Sequence, residues 1–487
     1  MRIGRAQIVS GALVLATAVV YLPVLRFGFI NYDDQALLRF NAHLVSGFSL
    51  ENVRWAVTST DHLQWAPVAW LSHMLDFQLF GSDPSGHHLV NLLFHIFNVL
   101  ALLAFLWRTT GQPWKSALVA ALFALHPLQV EPVAWLSARK DLISTAWLFL
   151  ALLTYAGYTA RPTRARYLLT LAAYILSLCA KPMFVTLPLL LLVIDSWPLA
   201  RSAPLGRLIV EKIPFAAAAA VGSAIAYLAQ ASSAAVTPFQ LEQLPFRVSL
   251  ATVAVAHQAW KTAWPSSLAV IYPRPPSIPP SIAAACAAFL VAISLAAIRL
   301  RRSKPALFAG WSWFLIGLLP VTGLIQIGPA MTADKYMYVP IAGLFIAMVW
   351  SLPGTEHRRW RTATIAGALC ACALATSDYL RSWKSDVSLY TRAIAATENN
   401  YLAMSNLGAA YELAGDLESA LGWYRAAIRA EPRFEVAYAN IGFVLLMSRH
   451  DCEHATPYFV TALSLNPGEP RARAGLMHCA RSVTSPR

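Results

Sequence analysis

Residues 89–107 read LVNLLFHIFNVLALLAFLW, a run without a charged side chain and close to the roughly 20 apolar residues a helix needs to cross a bilayer. Similar runs recur at 6–25, 116–136, 142–158, 167–180, 183–199, 213–232, 281–298, 305–325, 338–353 and 362–378. The expected fold is therefore all-α, a polytopic membrane protein with about eleven transmembrane helices. Composition agrees: 57% of the 487 residues are hydrophobic and 13% charged, against about 25% charged in soluble domains. That balance excludes a soluble enzyme, a disordered chain and a collagen-like repeat.

The net charge of +14 follows from basic clusters between the apolar runs. Arg108 to Lys115, Arg161 to Arg166, Arg201 to Lys212, Arg299 to Lys304 and Arg358 to Arg361 read as cytoplasmic loops, not as a nucleic-acid surface. Arg2 and Arg5 place the N-terminus in the cytoplasm. No small-residue cleavage site follows the first run, which therefore reads as a span and not as a signal peptide. The loop 27–87 then lies outside, and its acidic balance agrees: Asp33, Asp34, Glu51, Asp61, Asp76 and Asp83 face only Arg39 and Arg54. A full crossing at 248–270 would put Arg299 to Lys304 outside, so 246–280, with Trp260, Trp264 and its prolines, is expected to lie along the external interface. The odd count puts everything after residue 380 outside.

The membrane part, 1–380, gives way to a polar segment, 381–487, with an internal period. Leu407, Gly408, Tyr411, Ala420, Tyr424, Ala427 and Pro432 occupy the signature positions of a tetratricopeptide repeat. Ile441, Gly442, Leu445, Ala455, Phe459, Ala462 and Pro467 repeat them with one inserted residue. Glycine and alanine let paired helices approach, the aromatic rings fill between them, and proline ends the second helix. Repeats at about 401–434 and 435–469, with partial flanking helices, predict an α-solenoid. Its role is either partner binding or a packing cap. Antiparallel stacking can bring Cys452 and Cys479 together, which leaves open whether they are bonded.

The adjacent carboxylates Asp33 and Asp34, in NYDD at 31–34, lie just beyond the first span. One of such a pair can take a proton from an attacking hydroxyl while the other raises its basicity or orients the nucleophile. The runner-up reading is a solvated turn. Other ionisable residues fall on the same expected face: His126, Glu131, Arg139, Lys140, Asp141, Lys181, Asp334 and Lys335. Polar groups at membrane depth default to function, and the cations match a lipid-linked phosphate, although any one of them could simply snorkel. His73, His87, His88 and His95 with Asp76 lack an HExxH pair or a cysteine set, so no metal site is expected, while a divalent ion at Asp33 and Asp34 stays open.

FINYDDQ at 29–35, WLSHMLDFQLFGSDPSGHHLVNLLFH at 70–95, ALFALHPLQVEPVAWLSARKDLIS at 121–144, AKPMFVTLP at 180–188 and ADKYMYVPIAGLF at 333–345, followed by the repeats, resemble the transmembrane and tetratricopeptide-repeat-containing O-mannosyltransferases and their bacterial relatives, within the GT-C glycosyltransferase superfamily. Two departures stand out: Lys335 where the family usually has arginine, and Lys181-Pro182 where animal members commonly have Lys-Glu. The resemblance implies a GT-C fold in a bacterial inner membrane, with periplasmic repeats. It implies a hexosyltransferase that moves a sugar, mannose by family inference, from a polyprenyl-phosphate donor to a protein Ser/Thr hydroxyl with inversion. Asp33 or Asp34 would be the base, with Asp33 favoured. Arg139, Lys140, Lys181 and Lys335 would meet the donor phosphate, and His88, His126 and Glu131 the sugar or carrier. No cofactor is implied beyond the lipid-linked donor. Two rivals remain: an external glycan polymerase or ligase using a lipid-pyrophosphate donor, and a non-enzymatic membrane scaffold whose repeats capture a partner.

Overall fold

The computed structural model describes residues 4–61, 64–231, 243–324, 330–352, 359–449 and 451–484. Two residues used above as topology markers, Arg2 and Arg358, lie outside them. The described residues are mainly helical, with two strand fragments among them at Tyr272–Pro273 and Ala330–Thr332. It divides into two compact units, one of residues 1–266 and 275–381, the other of 267–274 and 382–487.

The first unit holds, in chain order, α1 (Arg5–Tyr21), α2 (Ala42–Val45), α3 (Leu50–Thr58), α4 (Pro67–Phe80), α5 (Pro84–Thr110), α6 (Pro113–Leu125), α7 (Val130–Ala134), α8 (Arg139–Ala160), α9 (Arg164–Ala180), α10 (Leu187–Ser196), α11 (Leu205–Ala231), α12 (Leu244–Ala263), α13 (Pro280–Arg299), α14 (Pro305–Leu318), α15 (Pro340–Ser351) and α16 (Arg359–Ser382). Six helical stretches among the described residues are long and apolar enough to cross a membrane: Ala6–Arg26, Pro84–Thr110, Leu136–Ala160, Leu205–Ala231, Pro280–Arg299 and Thr362–Ser382. The expected single crossing at 116–136 is instead a pair of helices, Pro113–Leu125 and Pro127–Ala134, bent by 60°. Proline is the cause: Pro127 has no amide hydrogen to continue the ladder, and the residue before a proline is driven out of the helical region. His126 accordingly sits at ψ 137°.

Within this unit the helices meet through small or hydroxylic residues, as membrane helices do where no hydrophobic force separates protein from lipid. The Ser144 hydroxyl donates to the Ser177 carbonyl at 2.9 Å, and the Ser177 hydroxyl donates back to the Ser144 carbonyl at 2.7 Å, tying α8 to α9. Gly310 of α14 and Gly343 of α15 face one another. A methyl group on Gly343 would lie 2.4 Å from the Gly310 carbonyl oxygen, and one on Gly310 would lie 2.3 Å from the Gly343 oxygen. Backbone is on the other side in both cases, so the helices would have to separate. Gly343→Ala is expected to destabilise the chain by about 1–3 kcal/mol, the usual cost of overpacking. Gly367→Ala in α16, where no atom lies within 4 Å, should be neutral or slightly stabilising. Unfolding midpoints in one detergent check the pair.

The second unit contains α17 (Asp386–Ala396), α18 (Tyr401–Leu413), α19 (Leu417–Ala430), α20 (Glu435–Arg449), α21 (Cys452–Leu465) and α22 (Pro470–Thr484). Gly408 of α18 packs against the Tyr424 ring of α19, where an added methyl would meet the ring at 2.7 Å. Gly442 and Phe459 repeat that contact between α20 and α21, also at 2.7 Å. Pro432 and Pro467 stand just beyond the ends of α19 and α21. Cys452 and Cys479 form a disulfide with a Cα separation of 5.4 Å, joining α21 to α22. The short stretch 267–274, expected within the interfacial segment 246–280 of the membrane part, groups with this unit because the Asn400 amide that caps α18 also donates to the Ile271 carbonyl at 3.0 Å.

Candidate functional site

The chain between α6 and α8 is irregular, a short 3-10 turn at Pro127–Gln129, α7, and a second turn at Leu136–Ala138, and every residue from 124 to 139 is buried. Broken backbone at membrane depth is tolerated only where protein satisfies it or where it lines a cavity. Here Asn91 of α5 supplies the donors: its amide reaches the carbonyls of Val133 and Trp135, both at 3.2 Å. The Gln129 amide donates to the Tyr338 carbonyl at 3.3 Å. Segment 130–138 is thus held in place from α5 and from the chain beside α15.

Ser137 projects from this segment onto the carboxylate pair. Its amide donates to Asp34 Oδ1 at 2.9 Å and its hydroxyl to the same oxygen at 2.5 Å. The Ile30 amide donates to Asp34 Oδ2 at 3.1 Å. Asp34 has no exposed surface, and burial, the largest influence, pushes its carboxyl up to about 7 in spite of those three donors. Asp33 is half-buried, and the chain after the pair is wound as a π-helix over Gln35–Arg39, a widening of the helix that is frequent at functional sites. The two aspartates therefore stand in different surroundings: one is sealed and fully hydrogen-bonded, the other reaches the surface.

Three lysines form an interacting group, of which Lys140 interacts with Asp33. Lys140, in the first turn of α8, donates to the Gln64 side chain and interacts electrostatically with Lys181, Lys335, Asp141 and Asp33. Lys181, at the end of α9, pairs with Asp141 Oδ1 at 2.6 Å. Lys335 lies 3.5 Å from Glu131 Oε1 and 4.2 Å from the centre of the Trp135 ring, while its amide donates to Glu131 Oε2 at 3.0 Å. Burial depresses the Lys335 ammonium, but the Glu131 carboxylate and the Tyr32 and Tyr336 hydroxyls outweigh it and hold the group above its ordinary range. Tyr32, next to the aspartates, packs against Trp135 with ring centres 4.9 Å apart and planes tilted by 35°. Asp33, Asp34, Glu131, Lys140, Lys181 and Lys335 thus belong to one connected group drawn from five separate stretches of sequence.

Three other expected residues have partners of their own. Arg139 has no exposed surface, and all three nitrogens of its guanidinium donate to protein. It donates to Asp76, to Asn91 Oδ1 at 2.7 Å, to Ser72 Oγ at 3.4 Å and to the His87 carbonyl at 2.6 Å. These donors hold it as an anchor, since a buried fork must satisfy its N–H groups where it lies, and it also interacts electrostatically with Asp34. His126 accepts from the Leu128 amide at Nδ1, 3.3 Å away, and donates from Nε2 to the Thr262 carbonyl at 3.1 Å, so it closes the bend. His88 packs edge-on to Phe27, with ring centres 6.3 Å apart, and interacts with Arg139 and His87.

Around that anchor, His73, Asp76 and His87 bring potential ligand atoms within 4.8 Å of one another. Asp76 already has a cation in Arg139, and His87 Nε2 is engaged by the Gly81 carbonyl at 3.0 Å, so the cluster reads as part of the arginine's cradle. Ser137, Gln64, Tyr32, Trp135 and Tyr336 complete the site and were missed in sequence. Only Ser137 carried a signal, a polar residue two positions before the Arg139-Lys140 pair in an otherwise apolar run.

No family model matches the chain. Its sequence is 34% identical over 172 residues to protein O-mannosyl-transferase Tmtc1 of Drosophila melanogaster, covering 34% of this chain and 20% of that protein. It is 33% identical over 145 residues to protein O-mannosyl-transferase Tmtc2 of the same organism, covering 28% of this chain and 15% of the relative. To protein O-mannosyl-transferase TMTC2 of Homo sapiens it is 30% identical over 169 residues, covering 32% and 20%. The matches thus span a fifth or less of the length of these relatives. Over the matched segment, this chain is related to the TMTC protein O-mannosyl-transferases.

Proposed function

We propose that the chain is a membrane glycosyltransferase that moves a sugar from a polyprenyl-phosphate donor to a protein hydroxyl, with inversion at the anomeric carbon. The observation that carries this reading is the half-buried Asp33 in electrostatic interaction with Lys140, which in turn interacts with Lys181 and Lys335, with Asp34 held by Ser137. The names of the relatives support it.

Asp33 takes the proton from the acceptor hydroxyl as its oxygen attacks the anomeric carbon. The bond from that carbon to the phosphate oxygen breaks on the opposite face, and the electron pair leaves with the polyprenyl phosphate. The lysines face the charge that develops there, which is where fixed cations lower a barrier most. Asp34 orients the pair and, when ionised, raises the basicity of its neighbour. Mannose is the first sugar to test. The disulfide between Cys452 and Cys479 supports placing the helical tail, a candidate acceptor holder, on an oxidising side of the membrane, together with the catalytic face of a bacterial inner membrane.

The test is full-length protein in liposomes with synthetic polyprenyl-phosphate mannose and a Ser/Thr-rich peptide. The expected products are an α- or β-linkage opposite to that of the donor and a polyprenyl monophosphate. Lys140→Gln with Lys335→Gln should lower kcat/KM by about 10²-fold, the scale of removing oxyanion-stabilising groups. Release of a pyrophosphate carrier, retention of configuration, or full activity in the double variant would sink the reading.

A further inference from the structure

Helix α8 has 22 residues, about 33 Å at 1.5 Å per residue, close to the roughly 30 Å of a bilayer's hydrocarbon core. Lys140 stands at its first end, in the site described above. At the other end, a cavity of about 480 Å³ is lined by Arg108, Arg161 and Arg166 together with Leu153 and Leu169. An adjoining cavity of about 490 Å³ shares Arg108 and adds Arg201. The sequence scatters these arginines over three basic clusters, and the fold collects them at one end of α5, α8 and α9.

The four cations are not equivalent. Arg201 is neutralised by Glu211, 2.7 Å away, and Asp195, 3.3 Å away. Arg166 turns Nη1 onto the carbonyls of Gly157 at 2.9 Å and Arg161 at 3.2 Å. Arg108 and Arg161 are exposed, and neither guanidinium has an acceptor among the described residues. Arg108 lies in the last turn of α5 and Arg161 directly follows α8, so each ends a stretch long and apolar enough to cross the membrane. Two guanidinium groups left open beside leucine side chains call for an anion with an apolar tail.

We propose that this groove binds an anionic phospholipid. Arg108 and Arg161 grip its phosphate as forks, and Leu153 and Leu169 receive the first methylenes of its chains. The apolar wall favours a lipid over free phosphate, and the length of α8 separates this headgroup from the donor phosphate by about one bilayer core. The groove is therefore a second lipid site, independent of the transfer reaction.

Native mass spectrometry of the full chain, released from detergent micelles containing phosphatidylglycerol or phosphatidylcholine of identical chains, tests it. Retention of phosphatidylglycerol over phosphatidylcholine is expected, and Arg108→Gln with Arg161→Gln should weaken it about thirtyfold, because each basic residue near an anionic membrane surface contributes about fivefold. Should the double variant fail to fold, each single change is expected to show about a fivefold loss on its own. Sugar transfer by the folded variants should be unchanged. Equal retention of the two lipids, displacement of phosphatidylglycerol by millimolar inorganic phosphate, or unaltered retention in folded variants would overturn the proposal.

Discussion

Replacing Asp33 by Asn is expected to lower sugar transfer by about 10²–10⁴-fold, the range for losing a general base, while the unfolding midpoint stays within the scatter of the wild type. The side chain is half-buried and isosteric with Asn, so little packing is lost. Asp34→Asn should behave differently. Both carboxylate oxygens of Asp34 accept from amide or hydroxyl donors, and an asparagine must turn its NH₂ toward one of these donors. That leaves buried groups without partners, at a cost of about 1–3 kcal/mol, so stability falls together with activity. A variant series in which Asp33→Asn unfolds the chain, or keeps full transfer, would contradict the division of roles.

The pH dependence follows from the same geometry. The folded chain holds the Asp34 proton up to about pH 7, whereas an ordinary aspartate releases it near 3.8. The native state therefore binds more protons between those values, so the contribution of this group to stability falls as pH rises from about 4 through about 7 and is level above. Ionised Asp34 repels the Asp33 carboxylate and strengthens it as a base, so transfer should rise through about pH 7. The Ser137 hydroxyl is the largest of the influences that favour the ionised form, and Ser137→Ala should move the rise to higher pH. An unmoved profile in that variant would remove Ser137 from the mechanism.

What the sequence revealed and what it concealed divide along a physical line. Apolar length and the helical period are local properties, so the helices at 84–110, 139–160 and 280–299 could be read from hydrophobicity alone. The pairing of Gly408 with Tyr424 and of Gly442 with Phe459 was equally legible, because the repeat, with its one inserted residue, imposes the same contact twice. The bend at His126 was signalled by Pro127, yet the apolar run continues through it and hides it from any hydropathy count. The group of Asp33 with the lysines could be suggested by placing all of them on one face.

Which charges the protein neutralises for itself could not be seen. Arg139 and Lys140 are adjacent in sequence yet differently surrounded, since successive side chains of a helix point about 100° apart. One of them donates to Asp76 of α4 and Asn91 of α5, and the other donates to Gln64 and interacts electrostatically with Asp33. Ser137 escaped notice for a related reason: its partner is 103 residues away, a separation that only the folded chain closes.

Arg139 gives the second large expectation. Arg139→Gln should destabilise the chain by about 3–5 kcal/mol, the cost of breaking a buried ion pair from one side. Asp76 would remain as an uncompensated charge in the core, with Asn91 Oδ1 and the His87 carbonyl short of a donor. Lysine is a poor substitute, because a point charge cannot reach Asp76, Asn91 and the His87 carbonyl in the directions that a planar fork serves. Removing both charges is the informative control: Arg139→Met with Asp76→Leu should recover much of the loss, since a buried pair replaced by apolar groups of similar volume is often neutral. The two possible roles of Arg139 then separate. As an anchor, it leaves transfer by the rescued double variant within about tenfold of wild type, because Lys140, Lys181 and Lys335 keep their places. If Arg139 instead carried the donor phosphate, the rescued protein would fold and yet lose transfer by about 10²-fold or more. Unfolding midpoints and single-turnover rates on the same preparations decide between them, and a fully stable Arg139→Gln protein would refute the anchor itself.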